Sequence, residues 1–565
     1  LPPRDHRTSF LEVSMRRTIG IWALVLAASL ALTAGLDAQT ADHSKFPELQ
    51  RFFQTPEEVT ATCLRCHNSA SEQIMTTNHW LWARKTEKLP GREGTPLMVG
   101  KKNVINNFCI ALVSNEPRCT SCHIGYGWKD GSFDFNNKNK IDCLVCHERT
   151  GTYDKFPTGA GYPAEADKVF PEDKKVYKRP DYARVAQSVG KPERRNCGAC
   201  HFYGGGGNAV KHGALDKSLM DPPKDIDVHM SKDGGNMSCV DCHVTDRHDI
   251  KGQLFSVSVE DRDRLSCERC HTRRPHTQTL FVEDHPDRTY DIFKNKLYNR
   301  KAPENTFIHQ VLDKHTDRIA CQTCHIKYYS TTYKTKTWWD WSKAGQKNEE
   351  GKPKVIKDAD GDTLYDGKKG EFRLAKNAQP EYFWFNGMVD HILVGDTIDP
   401  RKTPLSINRI SGECGEPGAK IWPFKVMRGK QPYDPENKTL IVPKLFGPKG
   451  SGAYWSDWDW NKSAEIGMKA AGVPYSGKID WIETEMNWPI THLVAPAKKA
   501  LDCNDCHSRD SRLAGLTACW IPGRDRSLPL DILGWLMIAG CFVGVTYHGG
   551  RRYLIAKKNN DREAR

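Results

Sequence analysis

The residues most able to do chemistry in this chain form a five-residue unit, Cys-x-x-Cys-His, which recurs along the sequence. Two thiols at this spacing can each form a thioether with a vinyl group of one haem, and the adjoining histidine can then bind the iron. Zinc sites also use paired cysteines, but they do not need a histidine directly after every second cysteine. The repeat therefore predicts eight covalently bound haem c groups. The residues that hold them are Cys63, Cys66, His67, Cys119, Cys122, His123, Cys143, Cys146, His147, Cys197, Cys200, His201, Cys239, Cys242, His243, Cys267, Cys270, His271, Cys321, Cys324, His325, Cys503, Cys506 and His507.

A second ligand on each iron is the next chemical requirement, and histidine is the first candidate. Histidines close to a motif are preferred, and the alternative for each is an ordinary hydrogen-bonded histidine. The expected distal ligands are His79, His212, His229, His248, His276, His315 and His492. His285, His309 and His391 are held in reserve, and His6, His43 and His548 are set aside because they lie near the ends. Seven histidines for eight irons leave one iron with a weaker ligand, which indicates one catalytic haem.

Residues 326–502 contain no motif but are rich in tryptophan and tyrosine, as in TWWDWSKAG and AYWSDWDWNKS. Rings at this density predict core or haem packing rather than stacking on a substrate. Within this stretch Asp358, Asp360 and Asp362 resemble the start of a calcium-binding loop, although the glutamate that ends an EF-hand loop is missing. Calcium is thus a candidate cofactor, and a surface acidic turn is the alternative.

The elements that must position these residues are expected to be short helices joined by loops. Only 38% of the chain is hydrophobic, and it contains 45 glycines and 32 prolines, so the haems must fill much of the interior. Before the first motif, Thr55 has the type of an N-cap and Pro56 suits the first helical position. The predicted fold class is mainly α with extensive loops, a multihaem cytochrome c fold organised around eight covalent haems, plus a C-terminal transmembrane helix.

Two apolar segments predict export and anchoring. Residues 15–38 have a basic start, an apolar run and a small residue at their end, which is typical of a secretory signal peptide. Residues 528–549 are apolar over a length that can span a bilayer, although Asp531 leaves a buried core helix as the alternative. The basic tail 550–565 follows, so the positive-inside rule predicts a cytoplasmic tail. The haem domain, residues 39–526, is therefore expected on the periplasmic side of a bacterial inner membrane.

The formal net charge of +13 could suit a nucleic-acid partner. Two propionates on each haem would add on the order of −8 to −16 for eight haems and cancel most of this excess. Lysines and arginines beside the motifs are expected to pair with propionates, or to attract an anionic substrate. Binding of nucleic acid is therefore not predicted.

Several stretches together resemble one family of multihaem enzymes. These are GKKNVINNFC followed by PRCTSCHIGYGW, then CLVCHERTGTYDKFP, CGACHFYGGGGNAVKHG and RIACQTCHI. With the eight motifs they resemble the octahaem tetrathionate reductase family, which is related to multihaem nitrite reductases and hydroxylamine oxidoreductases. The resemblance extends from Cys63 to His507. It implies an oxidoreductase that reduces tetrathionate, with nitrite and hydroxylamine as further substrates.

The resemblance also implies which residues carry the reaction. The second haem, with His123 as its proximal ligand, would be the active one, and its distal ligand would be a lysine. Lys211 matches that lysine, and Lys155 is the competing candidate. Cys109 would be the active-site cysteine, with Asn106 and Asn208 lining the pocket. Asn208 stands where the family is expected to have a carboxylate, which puts an acid role at that position in doubt.

Cys109 belongs to no motif, so its role has alternatives. A thiolate above the active haem could attack the S–S bond of tetrathionate. Otherwise Cys109 forms a structural disulfide with Cys414 or is a buried inert thiol. Cys519 has no expected partner.

Two other functions fit the motifs. The first is a non-catalytic relay between the quinol pool and a periplasmic partner, with every iron doubly ligated. The second is oxidation of hydroxylamine at a haem cross-linked to a tyrosine, for which Tyr126 is the nearest residue to the active motif. The expected partners are a small sulfur or nitrogen oxyanion, the membrane, and a quinol-linked donor such as a membrane cytochrome b.

Overall fold

The computed structural model describes residues 41–252, 265–277 and 307–563. The expected signal peptide, His6 and His285 lie outside the described residues. Most helices are short. They are α1 (Pro56–Cys66), α2 (Ala70–Met75), α3 (Asn78–Leu81), α4 (Glu116–Cys119), α5 (Leu144–His147), α6 (Tyr182–Gln187), α7 (Arg194–His201), α8 (Cys239–Cys242), α9 (Phe307–His315), α10 (Cys321–His325), α11 (Tyr454–Asp457), α12 (Trp460–Ala471), α13 (Cys503–Cys506) and α14 (Leu528–Glu563).

Each motif lies on a short helical segment, which is what its chemistry requires. Residues three apart share one face of a helix, so both thiols of a motif point to the same side. Helix α1 begins as expected from the sequence, because Pro56 is its first residue and Oγ1 of Thr55 accepts a hydrogen bond from the backbone N–H of Glu58 at 3.4 Å. The sixth motif begins in a 3₁₀ turn, Cys267–Arg269.

The stretch without motifs folds into a ten-stranded sheet, and this corrects the predicted fold class. The strands are β1 (Arg84–Thr86), β2 (Leu97–Val99), β3 (Lys168–Val169), β4 (Val176–Tyr177), β5 (Thr245–Asp246), β6 (Asp249–Ile250), β7 (Thr335–Asp340), β8 (Val355–Lys357), β9 (Thr363–Asp366), β10 (Gly370–Ala375), β11 (Glu381–Phe385), β12 (Val389–His391), β13 (Leu405–Ile410), β14 (Lys420–Asp434), β15 (Thr439–Leu440) and β16 (Asp480–Pro489). Strands β1 to β6 form three separate hairpin-like pairs. The described chain is thus not mainly α. The aromatic run TWWD lies in β7, since strands favour aromatic residues, whereas AYWSDWDWNKS forms α11 and the start of α12.

The long strand β14 is the centre of the sheet. The order is β12-β13-β16-β14-β7-β10-β9-β8, and β11 and β15 also pair with β14. Antiparallel pairing with β16 runs from Phe424 opposite Pro489 to Tyr433 opposite Asp480. Pairing with β7 is parallel. The sheet therefore holds β7 and β16 on either side of β14, and all three strands reach the candidate site.

Aromatic side chains fill the core around this sheet. Trp341 and Phe424 are 0% exposed, and Trp339, Tyr454 and Trp488 are at most 2% exposed. All five belong to one buried cluster. The prediction that the rings of residues 326–502 are packing material is confirmed for these side chains.

The C-terminal part joins an apolar helix to the sheet. Helix α14 contains an 18-residue stretch with a mean hydropathy of 1.9, none of which is buried. Among the described helices, this one is long and apolar enough to cross a membrane. Shortly before it, Cys519 forms a disulfide with Cys414, whose Cα lies 5.8 Å away. The expectation of an unpaired Cys519 was therefore wrong, and so was the alternative disulfide between Cys109 and Cys414.

Candidate metal centre and active site

Six motif histidines face a second histidine ring at the spacing that one metal ion requires. Two imidazoles on opposite sides of an ion have ring centroids about 6 Å apart, because each metal–nitrogen bond is about 2 Å long. The observed pairs and centroid distances are His43–His67 at 6.1 Å, His79–His201 at 6.1 Å, His147–His248 at 6.4 Å, His229–His271 at 6.2 Å, His243–His492 at 6.4 Å and His315–His507 at 6.0 Å. The two histidines of each pair are therefore spaced to ligate one haem iron.

Two assignments of distal ligands from the sequence differ from what the structure shows. His43 was set aside because it lies near the signal segment, yet its ring stacks opposite that of His67. His212 was expected to be a distal ligand, but its ring packs edge-on against Trp488 with centroids 5.0 Å apart. The structure thus pairs five of the seven expected distal residues with a motif histidine, and it exchanges His212 for His43.

His276 also lies near a motif histidine. Burial lowers the pKa of His325, and the charge of His276 lowers it further, which makes the two rings electrostatic neighbours. Nδ1 of His276 is 2.9 Å from Oδ1 of Asp313, so a carboxylate orients the ring and leaves Nε2 directed away. Of the reserve residues, His391 is buried in β12 and His309 lies in α9.

The second motif has a different environment. The ring of His123 is buried among aromatic rings, with Trp128 at 4.9 Å and Trp80 at 5.2 Å between centroids. Nε2 of His123 lies 2.7 Å from the backbone oxygen of Trp80. Within the described parts of the chain, no histidine ring faces it. As a haem ligand, His123 would have to turn Nε2 away from that oxygen.

Lys211 is partly buried near the second motif. It ends a glycine-rich loop, residues 204–211, and its Nζ lies 4.7 Å from the ring centroid of Trp488. Burial and the charge of Lys101 lower the pKa of Lys211 to about 8, and Cys122 opposes the shift. The neutral amine, which can donate a lone pair to a metal, thereby becomes easier to form than in an exposed lysine.

Lys155, the competing lysine, has other partners. Its Nζ is 3.0 Å from Oδ2 of Asp142, whose side chain is fully buried, and it also donates to the backbone oxygen of His123. Tyr126 donates to the same carboxylate at 2.7 Å, and its hydroxyl is 3.0 Å from that of Tyr153. Lys155 therefore stabilises the backbone of the second motif through its hydrogen bond to His123, and Asp142 holds the hydroxyl of Tyr126.

The glycine-rich loop is fixed by a buried lysine that the sequence analysis missed. Lys425 of β14 is 0% exposed, and its Nζ donates to the backbone oxygen of Val210 and to Oγ1 of Thr335, both at 2.6 Å. Burial lowers the pKa of Lys425 well below its usual value. Its signal in the sequence is a single charge inside the apolar run IWPFKVM. Lys425 thus ties the backbone beside Lys211 to the central strand.

Cys109 faces the same loop. Its backbone N–H donates to Oδ1 of Asn106 at 2.8 Å, and its Sγ lies 4.0 Å from the backbone oxygen of Gly205. Gly205 and Gly206 have φ of +81° and +88°, which glycine adopts most readily. A Cβ on Gly206 would lie 4.0 Å from that Sγ. The loop therefore approaches the thiol with its backbone.

The two asparagines that were predicted to line the pocket accept hydrogen bonds from nearby backbone N–H groups. Oδ1 of Asn106 accepts from the N–H of Phe108 as well as from that of Cys109, and Oδ1 of Asn208 accepts from the N–H of Lys217 at 2.8 Å. Burial raises the pKa of Cys109, so the neutral thiol is favoured. Nucleophilic attack would require this thiol to lose its proton near the substrate.

Motifs that are distant in sequence meet in space. Side chains of cysteines from different motifs are close neighbours in four places: Cys63–Cys143, Cys122–Cys200, Cys197–Cys239 and Cys267–Cys321. Groups attached at such neighbouring motifs would lie close together. The second motif is thus next to the fourth, which is itself next to the fifth.

The acidic turn gives no support for calcium. Asp358, Asp360 and Asp362 do cluster. However, Nζ of Lys334 lies 2.7, 2.5 and 3.4 Å from their carboxylates. This ammonium already supplies the positive charge between the three side chains.

Two family models and a solved structure relate this chain to c-type cytochromes. Residues 336–510 match a family model described as bacterial cytochrome c, and residues 62–148 match one described as cytochrome c554 and c-prime. A crystal structure of octahaem cytochrome c from Shewanella oneidensis is 40% identical, with a TM-score of 0.70, and the match covers 84% of this chain and 95% of that chain. An uncharacterized protein of Archaeoglobus fulgidus is 24% identical over 274 residues, 40% of this chain and 89% of that protein.

Proposed function

The chain belongs to the octahaem cytochrome c family, and from this premise we propose that it is a membrane-anchored reductase with one lysine-ligated active haem. Tetrathionate is the proposed substrate, and nitrite and hydroxylamine are further ones. The observation that carries the proposal is a contrast between motifs. Six motif histidines face a histidine ring, whereas the second motif has Lys211 and Cys109 near its two cysteines instead.

The proposed ligand set follows from the positions of the side chains. All eight motifs would hold haem c. The distal ligands would be His43, His79, His229, His248, His276, His315 and His492, with Lys211 at the second motif. When bound, these haems supply electron transfer and, where the second ligand can be displaced, a place for substrate on the iron.

Cys109 and Lys211 would divide the chemistry of the chain between them. The Cys109 thiolate would attack the central S–S bond of tetrathionate, which releases one thiosulfate and leaves a mixed disulfide on the cysteine. Two electrons would then release the second thiosulfate and restore the thiolate. Lys211 as a neutral amine would be the residue that holds the iron of the second haem, and as an ammonium it would be a proton donor next to the substrate.

The membrane would be reached through α14. We propose that this helix spans the inner membrane, with the haem domain in the periplasm and the basic tail in the cytoplasm. A quinol-linked donor such as a membrane cytochrome b would then supply electrons.

The test follows oxidation of a reduced viologen dye by the purified protein with tetrathionate, nitrite or hydroxylamine supplied separately. We expect turnover in the wild type and at least a hundredfold loss of kcat in Lys211→Ala. Lys217→Ala is the matched control, because Lys217 has an exposed side chain a few residues further on. Absence of turnover with all three substrates, in protein that carries eight haems, would favour the electron relay.

A further inference from the structure

Four cations influence Cys109. After burial, which raises the pKa of this thiol, the next largest influences are the positive charges of Arg118, Lys369, Lys336 and Lys101, and each lowers the pKa. We call these four residues the cationic cluster. Their common effect places a region of positive potential at the proposed nucleophile.

Two members of the cluster are already neutralised. Arg118 pairs with Oε2 of Glu172 at 2.7 Å, and Lys369 pairs with Oδ2 of Asp366 at 3.2 Å. Lys101 lies at the surface, with its Nζ 3.8 Å from the ring centroid of Trp82. These three therefore have either a carboxylate partner or access to water.

Lys336 is the exception. It is partly buried, and its Nζ rests on two aromatic faces, 3.3 Å from the ring centroid of Phe372 and 4.2 Å from that of Trp339. Among the described residues, no carboxylate lies within ion-pair distance of it. Aromatic faces attract a cation, but they do not neutralise its charge. A partly desolvated ammonium of this kind is suited to receiving an anion.

The strand that carries Lys336 also holds both loops of the site. Thr335, the preceding residue, donates from Oγ1 to the backbone oxygen of Ala209 at 2.6 Å. Just after β7, Nε1 of Trp341 donates to the backbone oxygen of Phe108 at 3.1 Å. Lys336 therefore lies on the strand that connects the Cys109 turn with the loop of Lys211, so its distance from both is fixed by the sheet.

We propose that Lys336 determines specificity by binding an anionic sulfonate end of the substrate beside Cys109, so that the site prefers sulfur oxyanions to uncharged hydroxylamine. The inference rests on the proposed function, because it concerns the substrate of the same site. Tetrathionate carries one sulfonate at each end. An ion pair at one end would position the central S–S bond for the thiol.

The charges around Lys336 fit this role. Burial and the charge of Lys369 lower the pKa of Lys336 to about 7, and Cys109 and Asp366 oppose this shift. A bound anion would raise the pKa again, because it favours the ammonium form. The competing partner for Lys336 is a propionate of a covalently attached haem, and the experiment must separate the two.

The experiment compares wild type, Lys336→Gln and Lys357→Gln with all haems attached. Lys357 is the matched control, because it is exposed on β8, at the far edge of the sheet. Steady-state kinetics would be measured with tetrathionate, nitrite and hydroxylamine. Thiosulfate binding would be measured by calorimetry, which needs no turnover, and haem potentials by spectroelectrochemistry.

We expect Lys336→Gln to raise KM for tetrathionate about ten- to hundredfold, the loss typical of one charged hydrogen bond. Thiosulfate affinity would fall by a similar factor, KM for hydroxylamine would stay within about twofold, and Lys357→Gln would behave as wild type. Equal losses with all substrates together with a shifted haem potential would overturn the proposal in favour of a propionate partner. Unchanged thiosulfate binding would also overturn it. Absence of turnover in the wild type would contradict the proposed function, while the calorimetry would still decide the role of Lys336.

Discussion

Replacing the buried lysine behind the site tests whether the glycine-rich loop is held by β14. In Lys425→Met the side chain keeps its length and loses both short hydrogen bonds to Val210 and Thr335. We expect the loop to separate from the strand and Lys211 to lose its position, because the backbone oxygen next to it has lost its donor.

The size of the effect follows from the two bonds. Burial disfavours the ammonium of Lys425, so its two bonds are those of a neutral amine. Each contributes about 0.5–1.5 kcal/mol, so the pair contributes about 1–3 kcal/mol. This loss corresponds to about a 5- to 150-fold change in the equilibrium between held and released loop.

Two measurements would follow the loop. The first is kcat/KM for tetrathionate, which should fall by up to this factor in Lys425→Met. The second is the electron paramagnetic resonance spectrum, in which the signal of one haem should change and the others should not. Thr335→Val is the graded control, since it removes the neutral Thr335 bond to Ala209 and one acceptor of Lys425, and its loss should be smaller. A folded Lys425→Met protein with wild-type kcat/KM and spectrum would refute the reasoning.

Three further predictions concern other parts of the chain. Magnetic circular dichroism should show that His43→Ala converts one low-spin haem to a high-spin haem, whereas His212→Ala leaves the number of low-spin haems unchanged. The reverse result would restore His212 as the distal ligand, as assigned from the sequence. KM for tetrathionate should rise as the pH increases above about 7, because only the ammonium of Lys336 attracts the anion. Lys336→Arg should flatten this pH profile. An identical pH profile in both proteins would exclude Lys336 as its origin. Cys414→Ser opens a disulfide between residues 105 apart in sequence and removes a constraint of about 4–5 kcal/mol on the unfolded chain, so its melting temperature should fall. A melting temperature equal to that of the wild type, measured without reductant, would contradict this stabilising role of the disulfide.

The haem ligands could be predicted where local spacing decides them. Each motif histidine adjoins its own cysteines, and His248 lies close enough to a motif for its sequence position to draw attention. Which motif a distal histidine serves could not be predicted, because His248 faces His147 rather than the nearer His243. His43 was missed for the same reason, since its nearness to the signal segment says nothing about which ring it meets in space.

The ten-stranded sheet was not predicted, because the amino-acid composition does not indicate it. A low hydrophobic content and many glycines and prolines suit a loop-rich helical chain, but much of residues 326–502 forms strands whose pairing depends on distant residues. Lys425 illustrates the limit. Its charge inside an apolar run is visible, yet its acceptors are 215 and 90 residues away.

The disulfide between Cys414 and Cys519 makes the chain tolerant of a break. If a protease cut the backbone once between these residues, the two fragments would remain joined through the sulfur atoms. The helix Leu528–Glu563 would then stay covalently attached to the part that carries the first seven motifs. A nicked protein would separate on a denaturing gel only after reduction, and proteolysis in this region would not by itself release the haem domain from its C-terminal helix.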